Sequence, residues 1–211
     1  TVKAHQLAHI PDNINFDESA SVPLVGLTAL QALRNEGNIK QGDSVCINGA
    51  SGGVGTMAVQ LANFHGAHVT AIASQKNHDL LRELGADTCL DYHEVDIHQS
   101  KTKFDIFFDV FGNTRFRKIK PILTKHGIWI STVLQAHVFR SIILSRLSGK
   151  SAKIVVVKSV RKDLLTIAHY LAEQQLKPVI AEIYRLQGIQ SAHLQQQSKH
   201  SGGKIVIQIA D

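Results

Sequence analysis

Short apolar runs alternate along most of the chain with segments whose apolar residues recur at helical spacing. The runs predict strands at 44–47, 68–73, 88–90, 104–110, 127–132 and 152–157. Between the first three lie helical patterns at 54–65 and 77–84, and helical stretches also separate the later ones. Strands that alternate with helices in this way form a parallel sheet with right-handed crossovers. The pattern therefore predicts an α/β fold with a doubly wound parallel sheet of about six strands.

The two ends of the chain depart from this alternation. Residues 1–15 have alternating apolar character, which predicts an edge strand that belongs to another structural unit. Residues 17–36 predict a helix in their second half only, because Pro23 and Gly26 interrupt the first. After residue 178 come strand-like segments at 179–180 and 183–184, a helix at 188–197 and an alternating strand at 204–209. We expect this tail to lie outside the doubly wound sheet.

A glycine-rich turn at 48–55, with the sequence NGASGGVG, follows the first predicted strand and opens the first helix. Backbone N–H groups at the start of a helix lack intrahelical acceptors and lie at the positive end of the helix dipole, so they bind phosphate. Gly52 and Gly53 allow close approach of the backbone, and Gly55 allows the helix to pack near the strand. A tight turn without a ligand is the alternative. The position of the turn at the carboxyl edge of a predicted parallel sheet favours a Rossmann-type dinucleotide site.

The second predicted strand ends at Ser74, about 20 residues after the glycines, followed closely by Lys76. NAD sites carry Asp or Glu at this position to bind the ribose hydroxyls. A hydroxyl and an ammonium instead favour a 2′-phosphate, so we expect NADP(H). Tyr92, just after the third strand, is placed to cover that phosphate or the adenine. The alternative for Ser74 and Lys76 is a helix cap with a surface lysine.

Composition adds constraints on partners and location. The net charge is +6, but the Lys and Arg residues are interpreted as scattered over a solvated face with a basic cofactor pocket, which makes nucleic acid an unlikely partner. Cys46 and Cys89 fall in predicted buried strands, so neither a disulfide framework nor a CxxC metal site is expected, and a cytoplasmic location fits. No apolar run of about 18 residues predicts a membrane span. The first residue, Thr1, suggests a processed chain or a fragment.

Motifs along nearly the whole chain resemble the zinc-independent quinone oxidoreductase (zeta-crystallin-like) branch of the medium-chain dehydrogenase/reductase superfamily. They are IPDN at 10–13, Ala20 with PL at 23–24 and GLTA at 26–29, GASGGVG at 49–55, LGAD at 84–87, Tyr92, FD at 104–105 with DV at 109–110, KPVI at 177–180 and GKIV at 203–206.

This resemblance implies a reductase that moves hydride from NADPH to a quinone or an α,β-unsaturated carbonyl compound. It implies that Ser51, Gly52, Gly53 and Val54 bind the pyrophosphate of NADP(H). Ser74, Lys76 and Tyr92 are implied around the 2′-phosphate, Thr28 near the nicotinamide and Lys204 near the cofactor groove. No catalytic side chain is assigned, because hydride transfer in this branch relies on positioning donor and acceptor.

The sequence also departs from the family pattern. The family lysine usually stands where this chain has Asn77, and the loop 111–113 lacks a second glycine. The chain starts where the GroES-like catalytic domain of such enzymes would be ending. We therefore expect residues 1–16 to be a remnant of that domain, 17–177 the dinucleotide-binding domain, and 178–211 a segment returning to the catalytic domain. The chain is then a fragment, or a product that kept only cofactor binding.

Two related enzyme classes fit less well. The short-chain dehydrogenase pattern matches the glycines, but Tyr92, Tyr170 and Tyr184 have no lysine four residues later. A zinc-dependent alcohol dehydrogenase needs Cys and His ligands, whereas His65, His68, His78 and His126 are expected at turns and element ends, so no metal site is predicted.

Three further expectations concern the core, self-association and an alternative function. Trp129 is expected in the core rather than as a stacking platform. The family resemblance allows a homodimer through strand 152–157. The alternative function is a non-catalytic nucleotide-binding or interaction module with an RNA or protein partner.

Overall fold

The computed structural model describes residues 2–134, 136–145, 149–198 and 202–209. Its main feature is a six-stranded sheet in the order β3-β2-β1-β4-β5-β6, in which all neighbours run parallel. The strands are β1 (Ser44–Asn48), β2 (His68–Ile72), β3 (Thr88–Leu90), β4 (Phe104–Asp109), β5 (Leu123–Ser131) and β6 (Ser151–Ile154). The predicted doubly wound, Rossmann-type α/β fold is confirmed.

Eight α-helices accompany the strands in the described part of the chain. They are α1 (Phe16–Ser21), α2 (Pro23–Leu30), α3 (Gly53–Phe64), α4 (His78–Glu83), α5 (Phe116–Ile119), α6 (Ala136–Ser145), α7 (Arg161–Ala172) and α8 (Ile189–Ser198). A π-helical segment, Gln31–Glu36, continues α2. Most of the predicted boundaries hold within about two residues, although β5 begins at Leu123 rather than at residue 127.

The expectations for the first 36 residues need correction. Within residues 2–15 the predicted edge strand is instead a 3₁₀ turn at Ala4–Gln6 in an irregular segment, which pairs with neither of the two sheets formed by the described residues. The first half of 17–36 is helical after all. Asn15 caps α1 through a capping box with Glu18, and Pro23 occupies the first turn of α2, where its missing N–H costs no hydrogen bond.

Each face of the sheet carries its own hydrophobic cluster. Residues of α2, α3 and α7 pack on one face, among them Leu30, Leu61 and Ile167. On the other face, α5 and α6 pack over a cluster that includes Phe107 and Trp129. Trp129 is fully buried and its Nε1–H donates to Thr114 Oγ1 at 3.0 Å, so the prediction that it belongs to the core is confirmed.

The crossover from β3 to β4 has no α-helix. Residues 91–103 contain a single 3₁₀ turn, Ile97–Gln99, where a parallel sheet commonly has an α-helix. Ile97 packs against the same cluster as α5 and α6. The connection therefore covers part of that sheet face with irregular chain.

The C-terminal part forms a separate structure. Strands β7 (Ile180–Arg185) and β8 (Lys204–Gln208) pair in parallel as a two-stranded sheet, with α8 between them in sequence. Gln208 Nε2 donates to Asp17 Oδ2 at 2.9 Å, which joins β8 to α1. This tail lies outside the six-stranded sheet, as predicted.

Candidate functional site

The glycine-rich turn links β1 to α3 and is fastened to the end of β2. The N–H groups of Gly49 and Ala50 both donate to the carbonyl oxygen of Ile72, at 3.2 and 3.0 Å. Gly49 has a φ of +84°, which L side chains rarely adopt. A Cβ at Gly55 would collide with the carbonyl groups of Gly49 and Ala50. Glycine at these two positions is therefore required by the turn itself.

Gly52 leaves the space in front of the turn open, because it has no side chain. It is the N-cap of α3, has extended backbone (φ −75°, ψ 169°), and no side chain caps the helix. A Cβ placed on Gly52 would have Gly49 O at 3.6 Å as its nearest neighbour. The first N–H groups of a helix have no intrahelical acceptor. The start of α3 is thus an open and electropositive position that fits a phosphate group.

A cleft of about 500 Å³ opens at the carboxyl edge of the sheet. Among the predicted site residues it brings together Ser51, Gly52, Ser74 and Tyr92. The remaining lining residues are Asn48, Gly49, Ile72, Ala73, Asn77, His93, Val110, Phe111, Asn113 and Ser198. The cleft lies where ligands bind in open α/β sheets.

The side of the cleft at the end of β2 is organised by Asp91, which sequence reasoning missed. Its carboxylate accepts the N–H groups of Gln75 and His93, each at 2.8 Å. The hydrogen bond from His93, followed by that from Gln75, holds the pKa of Asp91 below its ordinary value although desolvation opposes this. Ser74 Oγ lies on the same turn and accepts a hydrogen bond from Asn77 Nδ2 at 3.0 Å. Asp91 therefore stays ionised and fastens the turn after β2 to the end of β3.

On the opposite side, Asp109 fixes the loop that follows β4. Its fully buried carboxylate accepts Asn48 Nδ2 at 2.8 Å and the N–H groups of Gly112 and Thr114 at 2.9 Å each, as well as the Thr114 hydroxyl. Asn48 Nδ2 also donates to Asn113 Oδ1 at 2.8 Å. A buried carboxylate with this many donors is fully satisfied, so the network holds the adjoining cleft wall in one position.

The other predicted site residues lie beside the cleft or away from it. The side chain of Lys204 covers Gly53, where an added Cβ would lie 2.5 Å from Lys204 Cδ. Val54 follows Gly53 in the first turn of α3. Thr28 is buried in α2, where its hydroxyl donates to Leu24 O at 2.7 Å. Lys76 is exposed on the turn after β2. Thr28, Gly53, Val54, Lys76 and Lys204 do not line the cleft.

Cysteine and histidine positions differ in part from expectation. Cys46 is buried in β1, and desolvation raises the pKa of its thiol well above the ordinary value. Cys89 is only half-buried, because β3 is an edge strand of the sheet. His126 lies within β5 rather than at a turn, since the strand starts earlier than predicted. Within the described ranges, no three His, Cys, Asp or Glu residues are grouped to hold a metal ion. No helix in those ranges has the length and apolar character to cross a membrane.

Residues 84–207 match the model of a family described as zinc-binding dehydrogenase. The chain belongs to this zinc-binding dehydrogenase family. Among its relatives, the mitochondrial NAD(P)H oxidoreductase RTN4IP1 of Danio rerio is 28% identical over 100% of the chain and 61% of the relative. The chloroplastic quinone-oxidoreductase QR1 of Triphysaria versicolor is 31% identical over 95% of the chain and 64% of the relative.

A solved structure gives the same result for the fold. The quinone oxidoreductase of Coxiella burnetii superposes with a TM-score of 0.85 at 32% identity, over 94% of this chain and 62% of that one. The predicted resemblance to quinone oxidoreductases of the zinc-binding dehydrogenase family is confirmed. The chain spans a little less than two thirds of the length of these relatives.

Proposed function

We propose that the chain is the NADP(H)-binding portion of an oxidoreductase that transfers hydride from the nicotinamide, without zinc, to a quinone or an α,β-unsaturated carbonyl compound. The observation that carries the proposal is the cleft in which the open start of α3 and Ser74 face the same space. Relatives named as NAD(P)H oxidoreductase and quinone-oxidoreductase support the assignment.

The start of α3 fits the pyrophosphate. Ser51 and Gly52 line the cleft there, and the N–H groups of Gly53 and Val54 belong to the first turn of α3. The alkyl stem of Lys204 lies over Gly53, which places a cation beside the predicted phosphate position. In this arrangement the backbone provides most of the donors, and Lys204 adds charge.

The end of β2 fits the adenosine half of the cofactor. Ser74 and Tyr92 line the cleft, and exposed Lys76 on the same turn supplies positive charge for a 2′-phosphate. The carboxylate of Asp91 accepts two backbone N–H groups and does not line the cleft, so Ser74 is the residue at the end of β2 that faces the cofactor position. This favours NADP(H) over NAD(H).

When bound, the cofactor supplies the hydride. The chain's own residues orient it: the Asp109 network sets the wall formed by Phe111 and Asn113, and Asp91 sets the opposite wall at Tyr92. We further propose the domain limits 1–16, 17–177 and 178–211, and a position of Thr28 near the nicotinamide. A homodimer would form through β6, because this strand lies at an edge of the sheet. The proposed location is cytoplasmic.

The test is a fluorescence titration with NADPH and NADH, followed by an assay of NADPH oxidation with a quinone and an enone. We expect tighter binding of NADPH than of NADH, and oxidation that depends on the acceptor. Equal affinities would overturn the roles of Ser74 and Lys76. Binding without oxidation would instead favour the alternative function, a nucleotide-binding module without turnover.

A further inference from the structure

Positive charge is concentrated in one continuous part of the chain. Residues 97–150 contain 10 Lys and Arg residues but only 2 Asp and no Glu, whereas the rest of the chain contains 13 Lys and Arg against 15 Asp and Glu. Residues 97–150 therefore carry a net charge of +8, whereas the whole chain carries +6. The prediction that the Lys and Arg residues are scattered evenly along the chain is wrong for this segment.

The fold places the irregular and helical parts of this segment on one face of the sheet. The β3–β4 connection, α5 and α6 all cover the same face of the sheet, as Ile97, Ile119 and Ile142 share one hydrophobic cluster. Their outward-facing cations are exposed or half-buried. We call this surface the basic layer; its described members are Lys101, Lys103, Arg115, Arg117, Lys118, Lys120, Lys125, Arg140 and Lys150.

Parallel strands bring three of these lysines together. Lys103 and Lys150 directly precede β4 and β6, and Lys120 lies just before β5, so all three lie at the same edge of adjacent strands. Lys103 Nζ donates to Pro121 O at 2.6 Å, and Lys150 Nζ donates to Lys120 O at 2.7 Å. Desolvation, with smaller contributions from Lys103 and Lys120, lowers the pKa of Lys150. The three cations lie close enough to repel one another.

Acidic side chains leave most of this charge uncompensated. Asp109 is buried in its own network, and the half-buried Asp105 accepts hydrogen bonds from Ser44 N–H and the Thr124 hydroxyl. Asp96 is near enough to Lys118 to interact electrostatically. The three ion pairs found among the described residues all lie outside the basic layer. Glu94 and Asp96 of the β3–β4 connection are exposed as well, so the layer presents a surface of predominantly positive sign.

We propose that the basic layer binds the surface of an anionic lipid bilayer. Its cations are spread over the β3–β4 connection, α5, α6 and the adjoining ends of β4, β5 and β6. Single-stranded nucleic acid is instead held in a basic groove with aromatic side chains for stacking. Phe104, Phe107 and Phe116 are buried beneath the layer, and exposed Phe111 lines the cofactor cleft. Ile143 of α6, at 68% exposure, adds an apolar side chain near the cations.

Cosedimentation with vesicles tests this proposal. The full chain is mixed with vesicles of phosphatidylcholine containing about 30% phosphatidylserine, and with pure phosphatidylcholine vesicles. The variant Lys101→Gln/Arg117→Gln/Lys118→Gln removes three exposed cations of the layer. Each Lys or Arg near an anionic surface changes the partition coefficient roughly fivefold, so we expect a loss of about a hundredfold.

A matched variant removes the same charge from the other face: Arg161→Gln/Lys162→Gln/Lys177→Gln, on and after α7. We expect it to bind the anionic vesicles within a fewfold of the unmodified chain, and we expect added salt to release all bound protein. Equal losses in the two triple variants, or no preference for anionic vesicles, would overturn the proposal. Tighter binding to a duplex RNA at the same salt, lost in the first variant, would overturn it in favour of nucleic acid. Neither set of three substituted residues lies in the proposed cofactor site. An unchanged NADPH affinity therefore shows that each variant is folded.

Discussion

Replacing Gly52 by Asp separates cofactor binding from folding. Gly52 has the extended backbone of an ordinary N-cap, and the direction of its missing side chain is open. Aspartate is a preferred N-cap residue, worth a few tenths of a kcal/mol over Gly, and a negative charge at a helix start adds about 0.3–1 kcal/mol. We therefore expect the melting temperature to rise by about 1–4 °C. Gly53 is a poorer site for this test, because a side chain there would collide with Lys204.

The same carboxylate would occupy the position proposed for the pyrophosphate. Two unit charges about 5 Å apart repel by roughly 3 kcal/mol at an effective dielectric constant of about 20. That corresponds to at least a hundredfold loss of NADPH affinity, to which the loss of N–H donors to the new side chain adds. The predicted result is a more stable protein that no longer binds the cofactor.

Differential scanning fluorimetry and an NADPH titration measure the two effects on one sample. Gly52→Asn is the control, because it caps the helix with a side chain of similar size but without charge. It should keep only the part of the thermal gain that comes from capping, and it should lose much less affinity than Gly52→Asp. If Gly52→Asp melts as expected yet binds NADPH like the unmodified chain, the phosphate does not lie at the start of α3.

Three further predictions concern single side chains. Ser74→Asp places a charge at the end of β2 and should weaken NADPH about tenfold or more while sparing NADH; parallel losses would contradict the 2′-phosphate assignment. Asp109→Asn replaces an acceptor oxygen by an amide N–H₂ that faces backbone donors, so both cofactors should bind about tenfold more weakly. The titrations are made well below the melting temperature of the variant. Unchanged affinity would exclude a positioning role of Asp109. Asp163 lies against Arg34 at 2.6 Å, and Asp163→Asn should cost about 2 kcal/mol and lower the melting temperature by roughly 4–8 °C. Burial opposes ionisation of Asp163, but hydrogen bonds led by Arg34 hold its pKa below the ordinary value. The stabilisation is therefore present above about pH 4 and disappears as the pH falls through the pKa of the folded state. The melting temperatures of the unmodified chain and of Asp163→Asn should converge in acid.

Much of the fold and the centre of the site could be inferred from local sequence. Strand and helix periods depend on neighbouring residues, and the turn at 48–55 needs glycine for reasons internal to the turn. The sheet and the tail followed from these patterns, as did the meeting of Ser51, Gly52, Ser74 and Tyr92 at one cleft. Parallel topology alone brings the carboxyl ends of β1, β2 and β3 to the same edge.

Contacts between distant segments required the tertiary structure. Asp91 reaches Gln75 across two strand ends, and Lys204 reaches Gly53 only because β8 pairs with β7. An apolar run that ends in Asp109 does not reveal which donors surround the carboxylate. The misplaced edge strand at 1–15 has the same origin, since a strand requires a partner that no local pattern supplies.

The sequence by itself determined the order of elements, the glycine-rich turn and the absence of an acid at the end of β2. The tertiary structure decided which side chains meet, and it brought the described cations of residues 97–150 into the basic layer. The physical reason is the distance along the chain over which each kind of interaction acts. Backbone propensity and periodicity act over a few residues, whereas hydrogen-bond networks and surface fields depend on segments that only folding brings together.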